Sequence, residues 1–303
     1  MLKGALTWVP AFNAWRLRRA STGGSDSPRY CYSAWLRHLV SLERYGFRVS
    51  GARIGELGPG DSIGIGLAAL LSGAAAYVGL DIVPFSAKAN LERILDELVQ
   101  LYSRRERIPD NDEFPHLRPR LDSYEFPGQW IDITDCTARA EKIREELRIG
   151  VNWSQLVSYQ APWTSPSDIA LGCLDFIFSQ AVLEHVDNLE ETYQAMFAWL
   201  KPGGYASHVI DFSAHYLSPF WNGHWAYSDL QWKLVRGRRE FLLNREPLST
   251  HVACAEKAGF EILAIDLLRG EEGLNRKGLS QRFQGLDCND ARTRGAMLIL
   301  RKR

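Results

Sequence analysis

No net charge of either sign marks this chain: 36 lysines and arginines face 36 aspartates and glutamates in 303 residues. That balance removes any global attraction to nucleic acid or anionic lipid, and no nucleic-acid partner is expected. Cysteine is scarce. Cys31, Cys136, Cys173, Cys254 and Cys288 are scattered, form no C-x-x-C pair and are odd in number. They suit neither a zinc set nor a closed disulfide framework, and read as reduced thiols of a cytoplasmic protein. Internal repeats and low-complexity tracts are missing as well. Residues 63–80, IGIGLAALLSGAAAYVGL, carry no charge and approach the length of a membrane span, but glycines interrupt them and Asp81 ends them. A buried helix running into a buried parallel strand has this composition, so no transmembrane span is expected. The N-terminus has Pro10 and Asn13 inside its apolar run and makes a poor signal peptide. Trp8, Phe12 and Trp15 beside Arg16, Arg18 and Arg19 have the make-up of a peripheral membrane contact; an arm packed on the body is the plainer reading.

What is present is an alternation of helical and strand patterns. Apolar residues recur at helical spacing over 30–47, and the pattern predicts further helices over SIGIGLAALLSG, 86–106, TARAEKIREELRI, NLEETYQAMFAWL and THVACAEKAGF. Strands are predicted at ARIGELG, AAYVGLDIV, LVSYQAP, LDFIFSQ, YASHVIDF, EILAIDLL and RGAMLILRK. The alternation predicts an α/β fold, a doubly wound and mostly parallel seven-stranded sheet. The segment RIPDNDEFPHLRPRLDSYEFPG, rich in proline and charge, reads as an irregular surface excursion. It belongs to a long insertion over 86–150 between the second and third strands, expected to form a lid, a substrate wall or a partner surface. Residues 1–49 form an arm and a capping helix, and 50–303 the main domain. In such sheets ligands bind beyond the carboxyl ends of the strands.

The glycine-rich stretch IGELGPGDSIGIG, 54–66, sits at such an end. A dinucleotide fingerprint is not met, because the third glycine falls one place late, and no Lys-Ser/Thr follows to make a P-loop. Glu56 and Asp61 would also repel a pyrophosphate, which argues against a nicotinamide oxidoreductase. A cationic ligand without phosphate reverses that sign. S-adenosylmethionine, with its ammonium and sulfonium, fits, and Asp81 is placed to take both ribose hydroxyls.

Four blocks in order, ELGPG, YVGLD, LDFIFSQAVLEHVDN and WLKPGGYASHVIDF, resemble the motif series of class I S-adenosylmethionine-dependent methyltransferases over roughly residues 50–303. The resemblance implies a Rossmann-like methyltransferase fold that ends in an antiparallel strand. It implies that Glu56, Gly58 and Gly60 hold the methionine end of the cofactor. Asp81, with Ile82 beside it, would hold the ribose; Gln160 and Ala161 would lie near the adenine, and Ser179 and Gln180 beside the methyl donor. Ser62 stands where the family has its third glycine, and the segment after the second strand is longer than usual. Some members bind a divalent metal with a carboxylate three residues before a Glu-His pair. Ala181 occupies that position before Glu184 and His185, so no metal is expected.

Transfer to a hydroxyl needs a proton acceptor. His215, oriented by Asp211, is the expected base. His185 either fixes a helix start or lies near the methyl group. The aromatic run around Trp221, Asn222, His224 and Trp225 is expected to line an acceptor pocket for a polar small molecule or glycan, with a hydrophobic plug as the other reading. His208, inside the strand, reads as a core histidine. The expected function is methyl transfer to such an acceptor at oxygen. The alternative is a protein of the same fold that binds the cofactor without catalysis.

Overall fold

The structure, a computed structural model, describes residues 4, 6–9, 24–84, 86, 89–151, 154–163, 165–239 and 241–303. Its sheet has seven strands: β1 (Arg53–Leu57), β2 (Ala76–Leu80), β3 (Val157–Gln160), β4 (Leu174–Gln180), β5 (Leu200–Asp211), β6 (Phe260–Arg269) and β7 (Thr293–Lys302). Their order is β3-β2-β1-β4-β5-β7-β6. The first five run parallel, and β7 lies antiparallel between β5 and β6. This is the doubly wound, Rossmann-like arrangement expected from the alternation of elements. The order reverses between β1 and β4, and in such sheets the ligand crevice lies there, beyond the strand ends.

Helices cover both faces. One face carries α1 (Pro28–Glu43), α2 (Gly64–Leu71), α3 (Leu91–Ser103) and α4 (Cys136–Ile149); α5 (Leu189–Trp199) and α7 (Leu248–Ala258) cover the other. Helix α1 begins where Ser27 accepts from the Tyr30 amide and Pro28 sits in the first turn. The uncharged stretch 63–80 resolves into α2, all eight of its residues buried, and the strand β2. No helix among the described residues is long and apolar enough to cross a membrane. Helix α3 is shorter than the periodicity predicts, starting at Leu91 where the Asn90 side chain accepts from the Arg93 amide. A helix missed by the sequence reading, α6 (Asp229–Arg236), starts with a capping box of Ser228 and Gln231. The four-residue α8 (Gln281–Gln284) was missed too. Near the N-terminus, the Thr7 hydroxyl accepts from the Arg238 amide at 2.7 Å and the Arg238 guanidinium lies 5.0 Å from the centre of the Trp8 ring. Phe12, Trp15, Arg16, Arg18 and Arg19 lie outside the described residues.

Between α3 and α4 the chain has no regular structure, and one buried arginine holds it. Arg37 of α1 is fully buried. Its Nη1 donates to Asn111 Oδ1, Leu117 O and Pro119 O at 3.0, 2.9 and 2.8 Å. Its Nη2 donates to Pro109 O at 2.9 Å and its Nε to Ser33 Oγ at 3.1 Å. Loop carbonyls that lack a ladder thus find donors in a single guanidinium. The excursion is therefore tied to α1 across its middle. Arg37→Ala removes these donors and strands the carbonyls in the interior. It should cost about 3 kcal/mol or more of stability, read as a lower urea midpoint, and open 104–135 to proteolysis. An unchanged midpoint would mean that the excursion is held by its apolar contacts instead.

Candidate active site

The turn after β1 approaches its neighbours closely. Gly58 and Gly60 have φ of +63° and +71°, backbone that favours glycine. A Cβ on Gly58 would lie 2.7 Å from the methyls of Val182, in the loop after β4. Ser62, the departure from a third glycine, is fully buried. Its Oγ accepts from the Gly64 amide at 2.9 Å, satisfying the first turn of α2, and its own amide donates to Ser25 Oγ at 3.1 Å.

Glu56 is buried at the end of β1, and its Oε2 accepts from the Tyr77 hydroxyl at 2.5 Å. Tyr77 reaches it across Gly66, where a Cβ would meet the tyrosine ring at 2.2 Å. Burial pushes the Glu56 carboxyl up to about 8; the Tyr77 bond opposes that rise and the nearby Asp81 adds to it. Asp81, after β2, accepts from the Ile82 amide at 2.7 Å and the Gly60 amide at 3.3 Å. Burial raises its carboxyl against the pull of these bonds. Its backbone is clasped by β3 and the loop after it: the Asp81 amide donates to Gln160 O, and the Trp163 amide to Asp81 O. Gln160 and Ala161 thereby stand next to Asp81, and Ile82 is 38 % exposed, an apolar surface at the mouth of the crevice.

At the end of β4 the Ser179 side chain points into the core, 2.8 Å from His208 Nδ1, so only its backbone faces the crevice edge. Gln180 Oε1 lies 3.1 Å from His38 Nε2 of α1. His208 is a core histidine, and burial holds it down at about 3.

A second group gathers past the ends of β4 and β5. Asp211 Oδ1 accepts from the Ser213 amide and hydroxyl at 2.9 and 2.6 Å, and its Oδ2 lies 3.1 Å from His215 Nε2. Burial would raise the Asp211 carboxyl, but the His215 and Ser213 bonds outweigh it and hold it at about 2. The His185 ring lies 5.2 Å from that of His215. Burial and the nearby His215 lower His185 to about 4. Glu184 is buried, and the backbone N–H groups of Glu184 and Asp211 approach its carboxylate without reaching hydrogen-bonding geometry. Burial, then Asp211, pushes its carboxyl well up. Ala181, His215 and Tyr216 around this group have φ of +55°, +42° and +64°, strained for non-glycine residues. One donor atom from each of Glu184, His185 and His215 lies within 4.8 Å of the others, so these three residues can hold a metal ion. Sequence spacing missed this set, because its third donor comes from another strand.

In the aromatic run, Trp221, Asn222, His224 and Trp225 are all buried. Trp225 stacks on Phe283, with ring centres 5.7 Å apart, and donates to Arg245 O at 3.0 Å. Asn222 clasps Leu274, accepting from its amide at 2.7 Å and donating to its carbonyl at 3.0 Å. Trp221 fills space left by Gly270 and Gly273, where a Cβ would lie 2.3 and 2.5 Å from the indole. The basic stretch 233–246 is also committed: Arg236 pairs with Asp187 at 2.5 Å, and the buried Arg245 with Asp229 at 2.6 Å.

A family model described as a methyltransferase domain matches residues 42–265. A comparison with curated protein sequences gives no match. Among solved structures the chain is similar to an S-adenosylmethionine-dependent methyltransferase from Mesorhizobium loti, at 12 % identity, TM-score 0.42, covering 88 % of this chain and 98 % of that one. It is also similar to phosphoethanolamine N-methyltransferase 2 of Haemonchus contortus in complex with S-adenosyl-L-methionine, at 14 % identity, TM-score 0.43, covering 91 % and 57 %. These likenesses are distant, and the assignment rests on the family match, which takes in most of the chain and all four motif blocks. The chain belongs to the methyltransferase-domain family and is a methyltransferase that uses S-adenosylmethionine.

Proposed function

We propose that the protein transfers the methyl group of S-adenosylmethionine to an oxygen of a small-molecule acceptor held beyond β4 and β5. The observation that carries this reading is the Asp211–His215 contact of 3.1 Å, in a group joined to the cofactor turn through Val182 and Gly58. Glu56, Gly58 and Gly60 receive the methionine end, Asp81 the ribose, and Ile82, Gln160 and Ala161 the adenine. Ser179 and Gln180 offer backbone beside the methyl donor.

In the transfer, the acceptor oxygen attacks the methyl carbon in line with the carbon–sulfur bond. That bond breaks, and its electron pair stays on sulfur. The acceptor proton passes to His215, whose imidazolium Asp211 stabilises. Positive charge leaves sulfur as the bond breaks, so the protein's main task is to hold donor and acceptor in attack geometry and exclude water. Helix α1 and the excursion fixed by Arg37 act as a standing wall of that enclosure. A glycan acceptor loses its main support, because the tryptophans expected to stack on it are buried.

Calorimetry with S-adenosylmethionine tests the cofactor site. Asp81→Ala should weaken binding about 30-fold, the worth of two hydrogen bonds to ribose, while His215→Ala should leave affinity within about two-fold. Turnover is read with methyl-labelled cofactor and a low-molecular-weight cell extract. Label should enter ether or ester products, and His215→Ala should slow it about 100-fold or more. Label found on nitrogen, on carbon or only in macromolecules would overturn the acceptor assignment.

Glu56 gives a second test through pH. Its folded carboxyl, at about 8, sits above the ordinary carboxylate range. The cofactor-free protein therefore holds a proton there that the unfolded chain has lost, and its stability falls as pH rises from about 4.5 to 8. An ammonium arriving beside Glu56 favours the ionised form, so binding at pH 7 should release close to one proton. The binding enthalpy should then differ between phosphate and Tris, and Glu56→Gln should abolish the difference. Equal enthalpies for the wild type would show that Glu56 does not face the ammonium.

A further inference from the structure

Glu184 has no part in the proton transfer just described, yet its carboxylate is the least satisfied group of the crevice. The residue is 2 % exposed, and neither oxygen has a hydrogen-bond partner. A carboxyl buried without hydrogen-bond partners either holds a proton or is ionised beside a cation that completes it. Its neighbours point to the cation. His185 has a buried Nδ1 without a hydrogen-bond partner, a bare imidazole nitrogen open to a cation. His215 arrives from the far side, oriented by Asp211 as ligating histidines are by carboxylates. The donor atoms of the three residues lie within 4.8 Å of one another, a spacing that a cation with ligand bonds near 2 Å can bridge after small side-chain shifts.

The turn that carries the first two donors is braced. The Asn244 side chain donates to Leu183 O and Val186 O, both at 2.8 Å, and its amide to Glu184 O at 2.7 Å. The donor set is thus held from outside.

We propose that Glu184, His185 and His215 form a binding site for one divalent cation. Two imidazoles and one carboxylate favour ions of the zinc, cobalt and manganese class over magnesium or calcium, which prefer oxygen alone. Three protein donors leave at least one position open to an exogenous oxygen. The inference rests on the proposed methyl transfer for its catalytic meaning alone and would replace its proton step: a His215 that ligates the cation cannot also take the acceptor's proton, and a hydroxyl on the open position would instead lose its proton to solvent as the cation lowers its pKa.

The test is titration of the chelator-treated, full-length protein with Co2+, followed by calorimetry and visible absorption. S-adenosylmethionine binding to the same sample shows that it is folded. The expected result is one equivalent bound, with the absorption of a nitrogen- and oxygen-ligated site. Glu184→Gln and His215→Ala should each weaken Co2+ about 100-fold, and His116→Ala, on the distant excursion, should leave it unchanged. Should Glu184→Gln fail to fold, His215→Ala and the wild-type spectrum decide. No Co2+ uptake by protein that still binds S-adenosylmethionine overturns the site, as does uptake that survives both substitutions. Co2+ uptake by a protein whose methyl transfer survives His215→Ala would keep the site and refute the proposed function.

Discussion

Carboxyl groups gathered at one edge of a sheet, two of them kept protonated by burial, are the constraint around which this structure is arranged. Glu56, Asp81, Glu184 and Asp211 stand just at or beyond the carboxyl ends of β1, β2, β4 and β5. Among the described residues none of the four pairs with a lysine or arginine; the bases beside them are His215, in contact with Asp211, and His185, near Glu184. Elsewhere acids and bases pair freely, as Arg29 with Glu113 and Lys201 with Asp175 do. The crevice therefore keeps its acids for ligands. A cofactor with positive centres and no phosphate favours the ionised form of such acids, and a pyrophosphate would oppose it.

Apart from the ends of its elements and the helices α6 and α8, the fold was legible, because each strand of the parallel sheet is a short apolar run closed by turn residues. Gly58, Gly60 and Asp81 could be singled out because a tight turn and an acid at the next strand end are local features. Less legible was whatever depends on a distant partner. The tryptophans at 221 and 225 look like a binding surface in sequence. They are buried because Phe283, Leu279 and the glycines at 270 and 273, some 50 residues on, supply a matching surface. Arg37 lies in an amphipathic helix with nothing to mark it as buried; its carbonyl partners are more than 70 residues away.

The expectation of no metal, drawn from Ala181, rested on the same kind of local reading. A spacing rule along one loop takes no account of a donor from another strand. His215 joins Glu184 and His185 only because β5 runs beside β4 and both chains turn sharply after their last residues, at Ala181 and at His215 itself. Backbone strain at those two positions re-aims the chain toward the crevice, and it persists because the surrounding packing holds it.

The two halves of the crevice are mechanically one piece. Val182 lies two residues before Glu184 and fills the space that a side chain on Gly58 would occupy. The cofactor turn and the acceptor group thus share a packing contact, with the hydrogen bond from the Ala181 amide to Val209 O tying the same loop to β5. In-line transfer depends on distance and angle between a methyl carbon and an attacking atom, and shifts of an ångström are costly there. Placing the glycine turn, the β4 loop and the β5 end in one packed unit sets that geometry before either ligand arrives. The close approach demands glycine at 58; under the proposed assignment, the same residue that would let the cofactor near the backbone lets the β4 loop near the cofactor turn.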